Sequence, residues 1–198
     1  MKNKNYLITF IICLIITSFF LFPYIINNKL PLEHDTLFHL SRIEGYANAL
    51  KHYDFIPRIY PLKNDGFGYA SPLFYCDIFL LFPSLMYNLG FSLTTSYKFL
   101  IFFSTLFSCY SMYLLVHTIT RNKYSAIIST IAYTFSNYHI SDVYVRSSLG
   151  EILALIFFPL VLLGIYELFY TNKPKYIYLI IGFSGLLLSH NISFLLGV

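Results

Sequence analysis

Five stretches of the chain are apolar for long enough to cross a bilayer: residues 6–26, 95–119, 124–140, 151–170 and 176–198. A helix rises about 1.5 Å per residue, so about 20 apolar residues cover a hydrocarbon core of roughly 30 Å. The stretch 124–140 is the shortest and ends in polar Ser136, Asn137 and His139. The last stretch is apolar to its final residue, which reads as an N-terminal fragment that stops within or at the end of a span. The pattern predicts an all-α fold, a polytopic transmembrane helical bundle of about five spans.

A further apolar stretch, 72–90, contains Asp77 and Pro83. The basic residues decide how it lies. Lys2/Lys4, Arg121/Lys123 and Lys173/Lys175 share one side only if 72–90 is a juxtamembrane or re-entrant helix. By the positive-inside rule that side is the cytoplasm, so the N-terminus is cytoplasmic in a multi-pass cell-membrane protein. Lys2 and Lys4 before an apolar run also resemble a secretory signal. The run exceeds a signal's apolar core, however, and no small-residue cleavage site follows, so it reads as a retained span. The chain then divides into a first transmembrane span (1–26), an extracytoplasmic loop with an amphipathic helix (27–71), the juxtamembrane segment (72–90) and further spans (95–198).

Composition agrees with this division. Of the 198 residues 57% are hydrophobic and 11% charged, about half the charge of a soluble domain. With 19 Tyr, 21 Phe and no Trp, interfacial anchoring falls to Tyr. The net charge of +4, spread over short loops, excludes a nucleic-acid footprint. Cys13, Cys76 and Cys109 are too scattered for a disulfide framework or a zinc site.

The orientation also sorts the acids. Glu33, Asp35, Glu44, Asp54, Asp65, Asp77, Asp142 and Glu151 fall on the outer side, and Glu167 near the inner face. Acidic residues follow no strong topology rule, so their concentration points to a polar outer chamber. Within the first outer loop, EHDTLFHLSRIEGYANALKHYDF reads as a helix with Asp35 or Thr36 as N-cap. Leu37, Leu40, Ala47 and Leu50 form an interrupted apolar stripe, while Asp35, His39, Arg42 and Tyr46 share one face. The following IPRIYPLKNDGFGYASPLFY is rich in turn residues and Tyr.

Each candidate has a plain reading beside a chemical one. Asp35 is a helix cap or a reactive carboxylate. Asp35 and His39, four residues apart, resemble half of a divalent-metal site. Arg58 and Lys63 are surface charges or anion contacts. In the later outer loop, SDVYVRSSLGE, Arg146 either pairs with Glu151 or offers its guanidinium fork to a phosphate. His190, in an apolar run, either hydrogen-bonds a neighbouring helix or joins the outer site.

The order of elements, and the strings HDTLFHLSRIEGYANAL, IPRIYPLKNDGFGYASPLFY, YVRSSLGEILAL and LLSHNISFLLG, resemble the N-terminal half of GT-C-type membrane glycosyltransferases. They look closest to a bacterial branch labelled 6-pyruvoyl-tetrahydropterin synthase-related membrane proteins, a label that carries no pterin chemistry here. The resemblance implies transfer of a sugar from a polyprenyl-phosphate carrier to an extracytoplasmic acceptor. It places the catalytic acid residue or metal ligand at Asp35, with Glu33 second, and the carrier phosphate at Lys63 or Arg58. The family's Lys-Pro pair is missing before Pro72. His39, Arg42, Arg146, Glu151 and His190 complete the substrate-binding set. An inverting transfer needs a carboxylate to activate the acceptor hydroxyl and cationic groups to meet the leaving phosphate. The rival functions are a transporter or lipid flippase, and a non-catalytic membrane scaffold.

Overall fold

A computed structural model describes the backbone of residues 2–27, 30 and 34–197, with side chains from residue 7 onward. Among these residues the fold is all-helical, with one isolated bridge between Tyr60 and Tyr69. The helices are α1 (Lys2–Phe20), α2 (Phe22–Ile26), α3 (Thr36–Lys51), α4 (Leu81–Asn88), α5 (Leu93–Thr120), α6 (Lys123–Thr134), α7 (Asn137–Ser141), α8 (Leu149–Tyr170), α9 (Ile177–Ser189) and α10 (Asn191–Gly197). A π-helical turn, Asp142–Arg146, joins α7 to the approach of α8.

Among the described residues two helices are long and apolar enough to cross a membrane, α5 with 28 residues and α8 with 22. Local chemistry sets their ends. The Ser92 hydroxyl caps α5 by accepting from the Thr95 N–H at 3.0 Å. At the other end Arg121 adopts a left-handed conformation, φ 57°, and Asn122 caps α6 by accepting from the Tyr124 N–H.

Two expected spans are interrupted among the described residues. In 124–140 the helix α6 stops at Thr134, and Ser136 turns to cap α7. The run 176–198 breaks at His190, whose extended backbone (φ −154°, ψ 114°) separates α9 from α10. Hydropathy does not register either break, because capping and backbone geometry act on single residues. The stretch 72–90 also divides, into two short 3-10 turns and the eight-residue α4. At about 1.5 Å per residue α4 reaches about 12 Å, well short of a bilayer core.

Helices α5 and α8 form the centre, with α1 and α6 against α5 and α9 against α8. The α8–α9 approach depends on small residues. A Cβ on Gly164 would fall 2.7 Å from the Leu179 backbone N, and one on Gly182 would fall 2.9 Å from the Val161 backbone N. Large side chains outside this core face outward, among them Phe19, Phe107, Leu162 and Ile180.

The packing sorts the helix ends. Lys98, near the start of α5, donates to the Asn27 carbonyl after α2. Tyr24 donates to the Val143 carbonyl at 2.9 Å, and the His190 ring lies against Gly150 at the start of α8. The end of α2, the starts of α3, α5 and α8 and the end of α9 therefore gather at one end of the bundle. The basic turns at Arg121/Lys123 and Lys173/Lys175 lie at the other. The largest buried cluster, which includes Phe20, Ile43, Tyr60, Tyr97, Val143 and Ile152, underlies the first end.

Candidate functional site

Two polar clusters occupy that end, and α3 links them. The first is buried. His39, Arg42 and Tyr46 face inward from α3, whereas Leu37, expected in its apolar stripe, is exposed. The polar face of the helix is the packed one because Asp77 awaits it. Arg42 Nε donates to Asp77 Oδ1 at 3.1 Å, and Nη2 closes an ion pair with the same oxygen. The Tyr60 hydroxyl donates to the other carboxylate oxygen, with the Tyr60 ring resting where Gly45 has no side chain. Phe38 and Tyr75 flank the guanidinium, their centroids 5.3 and 4.9 Å from Arg42 Cζ. Burial and the Asp77 charge push the Tyr60 hydroxyl well above the ordinary phenol range.

His39 carries the connection onward. Its Nδ1 lies 3.2 Å from Arg42 Nη1, and the backbone at Ser147 hydrogen-bonds the ring. Since a guanidinium only donates, Nδ1 accepts and Nε2 carries the proton. Burial, and then the Arg42 charge, push the imidazole down to about 3, so it is neutral at physiological pH.

The second cluster surrounds Arg146. Its Nη1 donates to Asp142 Oδ1 at 2.9 Å and to Glu151 Oε2 at 3.0 Å, and its Nη2 donates to Glu151 Oε1. The expected Arg146–Glu151 pair is present, with Asp142 as an additional partner. Tyr138 and Ser148 also donate to Glu151, the latter at 2.8 Å. Burial, and the nearby Glu151 carboxylate, push the Asp142 carboxyl up to about 7 despite Arg146. The Arg146 side chain is 42% exposed, while the Asp142 side chain is fully buried.

The start of α3 docks on this cluster. The Asp35 N–H donates to the Arg146 carbonyl at 3.1 Å, the His34 N–H donates to the Val145 carbonyl at 3.4 Å, and the Thr36 and Ser147 hydroxyls are 2.8 Å apart. Ser147 holds a left-handed conformation at φ 53°, which turns the chain from the π-turn into α8. Asp35 occupies the N-cap position, but its side chain makes no capping bond and is exposed. The plain reading as a side-chain cap therefore does not describe this carboxylate.

Of the residues expected from sequence, Asp35, His39, Arg146, Glu151 and His190 come together. His190 Nδ1 is 2.8 Å from the Ser193 Oγ, and the ring packs on Gly150 beside Glu151. Arg42 is committed to Asp77. Lys63 lies farther along the loop in an ion pair with Glu44, and Arg58 is exposed on the same excursion. Glu33 lies outside the described residues. Of the expected Asp35/His39 metal pair, Asp35 is exposed, while His39 is buried with its Nδ1 against Arg42. Among the described residues no three His, Cys, Asp or Glu side chains group to hold a metal ion.

Asp77, Tyr60, Asp142 and Tyr138 are the members that sequence reasoning passed over. Asp142 precedes Arg146 by four residues, a helical ion-pair spacing that was available as a signal. Asp77 stood out as an acid in an apolar run, but nothing local pointed to Arg42.

Neither a protein-family model nor a solved structure matches the chain. In an alignment that covers 93% of the chain, it is 29% identical to a protein of Lactococcus lactis subsp. cremoris (strain MG1363) described as an uncharacterized protein. The chain spans 31% of that relative's length.

Proposed function

We propose that the protein is a multi-pass membrane glycosyltransferase of the GT-C type, moving a sugar from a polyprenyl-phosphate carrier to an extracytoplasmic acceptor. The separation of the polar end from the basic turns supports an outward-facing site and a cytoplasmic N-terminus under the positive-inside rule. In this reading α1, α6 continued by α7, and α9 continued by α10 are the spans beyond α5 and α8. The short α4 supports a juxtamembrane placement for 72–90.

One observation carries the reading: an exposed Asp35 carboxylate, free of capping duty, on a backbone hydrogen-bonded to Arg146. In this mechanism Asp35 accepts the proton of the acceptor hydroxyl as it attacks the anomeric carbon. Arg146 meets the charge that develops on the leaving lipid phosphate. His39 and Arg42 hold α3 in register. The test is Asp35→Asn in the full-length protein. Transfer from a polyprenyl-phosphate sugar is expected to fall at least about 100-fold with insertion unchanged. Wild-type transfer by the inserted variant would remove Asp35 from the mechanism.

The break at His190 favours a second reading, since transporters build their sites at interrupted helices. Substrate counterflow without bond cleavage would decide for it.

A further inference from the structure

The two carboxylates on Arg146 are not equivalent. Glu151 accepts from Arg146, Tyr138 and Ser148, so both its oxygens are engaged. Among the described residues Asp142 accepts side-chain donation only from Arg146, through Oδ1. Its Oδ2 is buried without a hydrogen-bond partner. A buried carboxylate oxygen without a donor is costly to keep charged. One cation between two carboxylates leaves the group at −1, an unfavourable place for an incoming anion.

We propose that the Arg146 group is a proton-coupled phosphodiester site, in which Asp142 takes up one proton as the anion binds. The proposal rests on the reading of Arg146 as the carrier-phosphate contact. Uptake of a proton from solvent turns Asp142 into a neutral carboxyl and leaves Arg146 and Glu151 balanced. The monoanion then meets a neutral site through the partly exposed Arg146 side chain, whose hold on Asp142 is released. Burial already brings Asp142 close to neutrality, so the exchange falls within the physiological range. Its ionisable neighbours are Tyr138 on α7, Arg146 on its own turn and Glu151 on α8, with His190 beyond Glu151. His34 and Asp35 approach the same turn from the start of α3.

A short-chain dialkyl phosphate is a suitable probe, because it stays a monoanion across the range tested. Binding to the full-length protein in nanodiscs is expected to tighten as pH falls from about 9 to about 7, by up to about tenfold per unit, and then level off. Calorimetry in buffers of different ionisation enthalpy should report proton uptake that approaches about one per anion by about pH 8.5 and shrinks below pH 7. Asp142→Asn should bind without this pH dependence, at the wild-type low-pH affinity, and His190→Gln should keep it. Wild-type binding that needs Arg146 but is flat from pH 7 to 9, with no proton uptake, overturns the coupling and leaves the proposed function standing. Absent binding, or binding unchanged in Arg146→Gln, overturns the site itself. The Asp35→Asn transfer assay then still judges the enzymatic reading separately.

Discussion

The N–H of Asp35 donates to the carbonyl of Arg146 across a separation of 3.1 Å. This bond joins the first outer-loop helix to the turn preceding α8, over more than a hundred residues of sequence. It places both residues at one end of the bundle, and with them the two polar clusters.

The first prediction concerns sidedness. In a Cys76→Ser background, cysteines introduced singly at Asp35 and at Arg146 should react with a membrane-impermeant thiol reagent from the same side. Cys13 and Cys109 are buried and should stay silent. A cysteine at Arg121 should react only from the opposite side. Labelling of positions 35 and 146 from different faces would exclude a shared site.

The Arg42–Asp77 pair is buried on both sides, with side-chain exposures of 5% and 7%. Removing one partner strands a charge that packing excludes from water. Arg42→Leu is expected to lower stability by about 3–5 kcal/mol in detergent, and Arg42→Met with Asp77→Leu together by clearly less. Equal losses for the single and double variants would show that the pair is not what holds α3 down.

His39 should make the protein acid-sensitive. Its folded-state value, about 3, lies below the ordinary 6.5, so the unfolded chain binds more protons between these limits. Stability contributed by the neutral ring is complete above about 6.5 and declines as pH falls toward 3, at up to about 1.4 kcal/mol per unit. Asp142 acts in the opposite sense, because its folded value near 7 lies above the ordinary 3.8 and stability declines as pH rises between them. Unfolding midpoints from pH 4 to 8 should fall less steeply toward acid in His39→Gln than in wild type. Asp142→Asn should gain on wild type as pH rises toward 7. Parallel profiles for all three proteins would refute both assignments.

At the α8–α9 contact, Gly164→Ala sets a methyl against both the side chain of Leu179 and its backbone N, and the backbone cannot give way without moving α9. A loss of about 1–3 kcal/mol is expected, read as a lower midpoint of thermal unfolding in detergent. A neutral result would mean that the two helices separate at little cost.

The apolar runs by themselves determined α5 and α8, since about 20 contiguous apolar residues favour an internally hydrogen-bonded helix in or out of a protein core. Arg146 with Glu151 as a pair was similarly local, involving residues within five positions of one another. The inward turn of the polar face of α3 was not local. It depends on Asp77 arriving beside Arg42 from thirty-five residues away, with Tyr60 crossing Gly45 to meet it. Hydropathy ranks His39, Arg42 and Tyr46 as surface residues because it weighs each side chain against water alone. Only the tertiary structure supplies the partner that makes burying them favourable. The same holds for Asp35, whose proximity to Arg146 follows from a backbone hydrogen bond that no side-chain pattern encodes.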